Sequence, residues 1–591
     1  MSTRLRPAPA RLAQRTFVIV LITALAGLVW YSFHLAANRI YQVDECMEIS
    51  IARAIAENGA KNYSGLIPLL QLPLSWVIRG IEKSADIFVS ARFFMAEIFW
   101  LNLVLLAAAT GQKLASYRGM LALFFAATLA PLWDYGFEIR HDNPMLTGLL
   151  LMWCLVRVNS AGAKSYFFIG VLAVTLQFVA HKAFAYTIPL SLAVLVFPPP
   201  SFKQPRWKLV LAWLGGAVLS FVTLKVMFST LTGTKFGEQQ GEGISFVSSV
   251  AASSERFWPW VTTLPRLLTQ TPLLLALATA ACAMVLMDWR KRGRAALNWE
   301  GMLPELLLSL GTLALLFVNP TPFPYNLLHF VPFLFLLAFR FAISIADEPA
   351  LRAKFFPAAV AVLLFTHLVP FGVATRRHMD WSNLRQVQLM SQAESLTDPK
   401  KDPVFDGAGL VPTRRTVSDA AFLHSLSFEA QMADTNKTVR HMLAKVPAPV
   451  LMKNYRTDWL SKEDRAFIDE HYVSLADDFC VLGKVLPQGG GRFEVLHPGR
   501  YRVMPLEGSN LMGTFDGNSF MEVTKRSTNT SIVARLDGVQ LGDAAIELKV
   551  GDHMIETATN GHAAIFWVGP KLNEIPRLAS GSHRVLFFNW Y

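Results

Sequence analysis

The sequence predicts a polytopic α-helical membrane protein with a soluble region at its C-terminal end. Three observations predict it. The chain is 53% hydrophobic and only 17% charged, against about 25% charged for soluble domains. Long apolar runs recur through the first 375 residues. The positive charge falls largely in short loops between those runs, as membrane orientation requires. A length of 591 residues leaves room for a bundle and a globular part. The net charge of +12 comes without a basic stripe interleaved with aromatics, so no nucleic acid is expected as a partner. Cys46, Cys154, Cys282 and Cys480 show no CxxC spacing, which argues against structural zinc or a disulfide framework.

Apolar runs suit about eleven transmembrane helices, near 16–37, 88–110, 119–134, 144–158, 166–181, 184–198, 208–230, 267–288, 302–319, 326–346 and 355–373. The first run follows a basic stretch and is too long for a signal-peptide core, so it reads as a retained anchor. Lys113, Arg118, Arg157, Lys164, Lys203, Arg206, Lys208, Arg290 to Arg294, Arg340, Arg352 and Lys354 then mark the inner side. The N-terminus is expected inside. The loops 38–87, 133–144 and 231–265 are expected outside, with everything beyond the bundle domain 1–375. Glycines at 233, 237, 241 and 243 make 231–265 read as a lid.

Residues 45–57 read as a short surface helix ended by Asn58-Gly59. Residues 376–487 read as an outer α/β domain, with a strand and turn over 450–460 and a helix capped by Ser461. Gln488 to Gly491 read as a linker. Residues 492–591 read as a small β-sandwich-like module of short strands separated by Asp-Gly turns.

Polar residues gather on the expected outer side. Asp44 and Glu45 follow the first span. One carboxylate there suits a general base, and the other an orienting group or a cation ligand. The plain alternative is that Asp44 only caps a helix. Glu138, Arg140, His141 and Asp142 crowd the second outer turn, where Arg140 either binds phosphate or pairs with Glu138. Arg92 lies just inside the second span, and Lys182 in an aromatic-flanked break. Cations at such depth call for an anion, and Arg suits bidentate phosphate contact. Tyr325 and His329 lie in a proline-broken outer turn, where His329 suits a headgroup or sugar and an ordinary aromatic belt is the bland reading. No nucleotide-binding loop appears, so an outward site must use an activated substrate carried in the membrane.

In this order the motifs resemble the GT-C class of membrane glycosyltransferases, in particular its protein-O-mannosyltransferase and aminoarabinose-transferase group. The resemblance spans roughly 16–373. It runs through Val43-Asp44-Glu45, Leu70 to Trp76, Ser90 to Phe93, Glu138 to Asp142, His181 to Phe184, and Tyr325 to Pro332. Gln71-Leu72 stands where some members carry a lysine, which leaves the donor phosphate to Arg92 and Lys182. The resemblance implies a GT-C bundle that moves a sugar from a polyprenyl-phosphate donor to a glycan, lipid or protein hydroxyl, usually with inversion. The setting implied is a bacterial inner membrane with the C-terminal region periplasmic. Asp44 would be the general base, assisted by Glu45 and Asp142. Arg92, Lys182 and Arg140 would hold the phosphate, with Glu138, His141, Tyr325 and His329 lining the substrate site. Any divalent cation, Mg2+ or Mn2+, would fall to Asp44 and Asp142. The rival readings are an O-antigen-polymerase-like enzyme and a lipid-linked sugar transporter or flippase with an outer sensor domain.

Overall fold

The computed structural model describes residues 8–60, 69–157, 162–180, 182–196, 205–232, 259–293, 302–318, 323–347, 358, 362–418, 421–423, 428–476, 478–505, 534–541, 544–558, 563–569 and 587. The helices are α1 (Ala8–Asn38), α2 (Val43–Asn58), α3 (Gln71–Val77), α4 (Ser84–Ala109), α5 (Tyr117–Ala127), α6 (Ala130–Tyr135), α7 (Asp142–Arg157), α8 (Ala163–Val179), α9 (Ala183–Val196) and α10 (Arg206–Thr232). Beyond them come Pro259–Gln270, Pro272–Arg292, Leu303–Val318 and Leu327–Asp347.

Among the described residues, five helical stretches are long and apolar enough to cross a bilayer: Arg15–Asn38, Ser84–Ala109, Arg206–Leu231, Pro272–Lys291 and Pro324–Asp347. Four shorter apolar helices, Tyr117–Ala127, Ala163–Val179, Ala183–Leu195 and Leu303–Phe317, accompany them. Side chains such as Val210, Leu214, Val218, Val222 and Leu286 point outward uncovered. A soluble protein does not leave faces this apolar in water; a lipid-facing bundle does. The expected span 119–134 is divided. α5 stops at Thr128, whose hydroxyl bonds back to Phe124 O at 2.9 Å, and Pro131 opens α6. The last expected span is only partly described, as a turn Leu364–Leu368 running into Val369–Met379. The 231–265 lid falls mostly outside the described residues.

α8 and α10 pack closely because glycines meet backbone. A Cβ on Gly216 would lie 1.9 Å from Phe167 O, and one on Gly170 would lie 2.0 Å from Trp213 O. Small residues at helix contacts are how membrane bundles gain packing without a hydrophobic force between helices.

The C-terminal region starts on the helix Leu384–Leu396, tied to the end of α1. Asn383 donates to Ala37 O at 2.8 Å, and Gln386 exchanges two bonds with the backbone of Tyr41. Its strands are β1 (Val404–Phe405), β2 (Val450–Met452), β3 (Tyr472–Ala476), β4 (Phe479–Leu486), β5 (Gly490–Val495), β6 (Gly499–Pro505), β7 (Ala534–Leu536), β8 (Val539–Leu541), β9 (Ile546–Leu548), β10 (Gly551–Thr557) and β11 (Ala563–Trp567). Helix Lys462–His471 is capped by Ser461, whose side chain accepts from Asp464 N.

The expected division between 487 and 492 is bridged. One seven-stranded sheet runs β1-β2-β4-β11-β6-β9, with β3 also on β4. β11, from the last module, thus lies between β4 and β6, and its fully buried side chains close one core with the earlier strands. Gly490 and Gly491 are not a linker but the start of β5, which joins a four-stranded antiparallel sheet β5-β10-β7-β8. The Asp537-Gly538 turn is as expected, with φ of 49° and 82° joining β7 to β8.

α2 is not laid on a lipid surface. Cys46, Ile49, Ala52 and Ile55 on it are buried, and the first three join a continuous core with Phe88, Leu389 and the sheet residues Val450 and Phe566. The C-terminal region therefore roofs α2 and the start of α4.

Candidate active site

The first turn of α2 and the turn before α7 meet under this roof. Gln42 precedes α2, and its backbone N–H donates to Glu45 Oε2 at 2.8 Å. Gln42, not Asp44, is thus the capping residue, with Glu45 completing a capping box. Asp44 is left to point elsewhere, and its side chain is 38% exposed.

Glu45 faces inward and is fully buried with Arg92, which donates through Nε at 2.8 Å and a terminal nitrogen at 2.5 Å. Arg92 also donates to the carbonyls of Arg39 and Ile40 and lies 4.5 Å over the Tyr41 ring. Glu45 accepts once more, from Ile139 N at 3.1 Å. Burial pushes the Glu45 carboxyl up, but the Arg92 guanidinium and the hydrogen bonds pull it below the usual carboxylate range. Arg92, expected on the donor phosphate, has no exposed face here. Glu138 likewise pairs not with Arg140 but with Arg39, at 2.7 Å, both buried. Arg39 carries no motif, and only its position two residues before Tyr41 hinted at it.

Ile139 is followed by Arg140, so the Glu45 anchor sets where Arg140 emerges. Arg140 bonds Asp142 through Nε at 3.0 Å and Asp44 through a terminal nitrogen. Asp142, the first residue of α7, is fully buried and also pairs with Lys182. Both cations sit over the ring of Tyr325, Arg140 at 4.1 Å and Lys182 at 4.5 Å, a favourable placement for a cation. His329 closes the group from below. It is fully buried, with Nε2 at 3.3 Å from Asp142 O, beside Tyr186. His141 turns away toward Glu48, at 3.4 Å, and Gln71 donates to the other oxygen of Glu48.

The structure thus brings together Asp44, Arg140, Asp142, Lys182, Tyr325 and His329. It places Glu45, Arg92 and Glu138 in a buried layer behind them, and His141 at the side. Sequence reasoning missed Arg39 and Glu48, and marked Gln71 only as a departure from the family pattern. It also missed Arg266, which donates to the Tyr135 hydroxyl at 2.8 Å, and Asp134, which is bonded to His378 and Gln270.

Among the described residues no three His, Cys, Asp or Glu side chains gather as metal ligands. Asp44 and Asp142 flank Arg140 and already carry cationic partners. Among the described residues the group is charge-balanced without a divalent ion, and those residues do not fit one.

The opposite end of the bundle differs. There Arg157 and Arg340 share Glu305, and Arg118 pairs with Asp347.

No protein-family model and no curated protein matches the sequence. Solved structures are similar at a distance. ArnT from Cupriavidus metallidurans bound to undecaprenyl phosphate has a TM-score of 0.48 at 15% identity, over 78% of this chain and 97% of that one. The oligosaccharyltransferase of Archaeoglobus fulgidus in the apo form has 0.43 at 10%, over 82% and 73%. The archaeal oligosaccharyltransferase AglB from the same organism, in complex with an inhibitory peptide and a dolichol-phosphate, has 0.42 at 10%, over 82% and 73%. At TM-scores below 0.5 these likenesses say nothing of activity or substrate.

Proposed function

We propose that this chain is an integral-membrane glycosyltransferase of the GT-C type, moving a monosaccharide from a polyprenyl-phosphate donor to an acceptor hydroxyl. The reaction takes place on the extracytoplasmic side of a bacterial inner membrane, with the N-terminus cytoplasmic and the C-terminal region periplasmic. One observation carries the reading: Asp44 touches Arg140, and Arg140 and Lys182 share Asp142 above the Tyr325 ring. A base and an anion-binding pair thus stand side by side at the roofed end of an apolar bundle. A polymerase would use the cations but not the early carboxylate. A transporter would hold its cargo near the midplane, whereas these groups gather at one end.

The chemistry follows from the placement. The donor phosphate enters against Arg140 and Lys182, whose charges are preorganised by buried Asp142. The acceptor oxygen attacks the anomeric carbon while its proton passes to the Asp44 carboxylate. The bond from the anomeric carbon to the phosphate oxygen breaks, and the electron pair leaves with the polyprenyl phosphate. The charge growing on that phosphate is met by cations already in place. No acid is needed for so stable a leaving anion.

Arg92 and Glu45, and behind them Arg39 and Glu138, act as positioning residues. They hold the α2 turn and the Ile139 backbone so that Asp44 and Arg140 face each other. His329 fixes Asp142, and His141 pairs with Glu48 beside the group.

The test is transfer of labelled sugar from polyprenyl-phosphate sugar by the purified chain in nanodiscs. Asp44→Asn is expected to lower turnover by about 10²–10⁴-fold, the range of a lost general base, while the protein stays folded. Transfer at the wild-type rate by Asp44→Asn would refute the assignment.

A further inference from the structure

We propose that this chain associates with copies of itself in the membrane, head to tail, with Glu97 on α4 of one copy paired to Lys225 on α10 of the next. Such assembly is independent of the transfer chemistry above.

Glu97 stands near the middle of the apolar stretch Ser84–Ala109 and is exposed. Phe93 and Leu101, one turn to either side on the same face, are exposed at 37% and 47%. α1 lies alongside: Trp100 donates to Ser32 Oγ at 2.8 Å, and the Phe33 and Phe93 rings meet edge to face at 5.4 Å. Val29, a turn from Phe33, is exposed as well. The carboxylate thus emerges from an apolar face made by two spans. Among the described residues it has neither a hydrogen-bond nor an ionic partner. Ionisable groups inside a membrane are costly, and they almost always face a bundle interior, a water-filled cavity or a group of opposite charge. Within one copy Glu97 meets no such charge. Its short side chain cannot stretch to the headgroups as a lysine can.

α10 offers the opposite charge. Lys225 is exposed, flanked by exposed Phe221, Val222 and Val226, and among the described residues it too has no anionic partner. The depths match, with α2 as the marker. Arg92 on α4 bonds Glu45 in the first turn of α2, and Phe228 on α10 packs against Ile55 in its last turn. Glu97 lies five residues inward of Arg92 and Lys225 three inward of Phe228, about 7.5 and about 4.5 Å of helix. The longer lysine side chain spans the difference.

Within one copy α4 packs on α1, α5 and α7, while α10 packs on α8 and α9, so the two charges belong to different faces. A two-fold contact pairs a face with itself and would set like charges together; a head-to-tail contact sets Glu97 on Lys225. Both faces admit a close approach. A Cβ on Gly27 of α1 would meet nothing within 4 Å, and one on Gly215 of α10 would meet only Phe167, at 4.0 Å. Exposed small residues let membrane helices come together backbone to backbone. A lipid phosphate would satisfy Lys225 but repel Glu97, whereas a second copy satisfies both.

The experiment reads energy transfer between donor- and acceptor-labelled copies of the full chain in liposomes, against the protein-to-lipid ratio. Wild type is expected to associate. Glu97→Lys and Lys225→Glu each set like charges together, and each is expected to need at least about tenfold more protein per lipid for the same signal. The double variant Glu97→Lys with Lys225→Glu restores the pair in reverse and is expected to associate as wild type does. Glu97→Gln, which removes the charge at nearly constant shape, is expected to weaken association in the same direction and serves where a swap fails to fold. No association in wild type, association of either folded single swap at the wild-type ratio, or a folded double variant that does not recover would overturn the pairing. Loss in Glu97→Lys but not in Lys225→Glu would mean that another group holds Glu97, and would overturn it equally.

Discussion

Glu45→Gln separates fold from chemistry more sharply than any other single change. Glu45 and Arg92 are both wholly buried, joined by two hydrogen bonds. The substitution keeps the shape but removes the charge, leaving the Arg92 guanidinium buried without a counter-ion. Breaking one side of a buried pair costs roughly 3–5 kcal/mol. Every partner of the Glu45 carboxylate donates, so the NH2 group of Gln faces a donor and the bond from either Gln42 N or Ile139 N is lost as well. The nearby Arg39–Glu138 pair recovers part of the field, so we expect the lower end, about 3 kcal/mol. A thermal melt in detergent should fall by several degrees. Asp44→Asn should shift it less, because the Asp44 carboxylate is 38% exposed and Arg140 keeps Asp142 as its counter-ion. Equal melting of Glu45→Gln and wild type would refute the reasoning, since it would mean that Arg92 finds its charge balance elsewhere.

Further outcomes follow from the same geometry. Lys182→Met should raise the donor KM at least about tenfold, since it removes one of two charges assigned to the phosphate; initial rates against donor concentration check this. The Glu45 carboxyl lies below its ordinary range when folded, so its contribution holds at neutral pH and fades as pH falls below the usual carboxylate value. The stability gap between wild type and Glu45→Gln in melts should therefore close in acid. Gly538→Ala should destabilise the β7–β8 hairpin by about 1 kcal/mol, because φ is +82° there; hydrogen exchange over 534–541 reads it directly.

Much of the candidate site was legible because charge in a membrane chain is rarely idle. Asp44, Arg140, Asp142, Lys182, Tyr325 and His329 were singled out separately, and they meet in the fold. What the sequence did not disclose was who pairs with whom. Arg92 lies 47 positions from Glu45 and Arg39 lies 99 from Glu138, and no local period links them. Arg92 therefore looked like a free cation, although its donors are taken up by Glu45 and backbone. Asp44 and Glu45 are neighbours with similar chemistry. Only the helix start at Val43 turns one toward Arg140 and the other into the core. In the C-terminal region, short alternating strands were readable from 534 to 551, but strand order is a long-range property. Nothing near Ala563 announces that β11 will enter between β4 and β6, and the glycines at 489–491 signal a turn as readily as a linker.

The most direct measurement is a structure of this chain with a polyprenyl-phosphate sugar bound. The phosphate should lie within hydrogen-bond distance of both Arg140 and Lys182, with the anomeric carbon turned toward Asp44. A phosphate held instead at the far end of the bundle, near Arg157 and Arg340, would contradict the account.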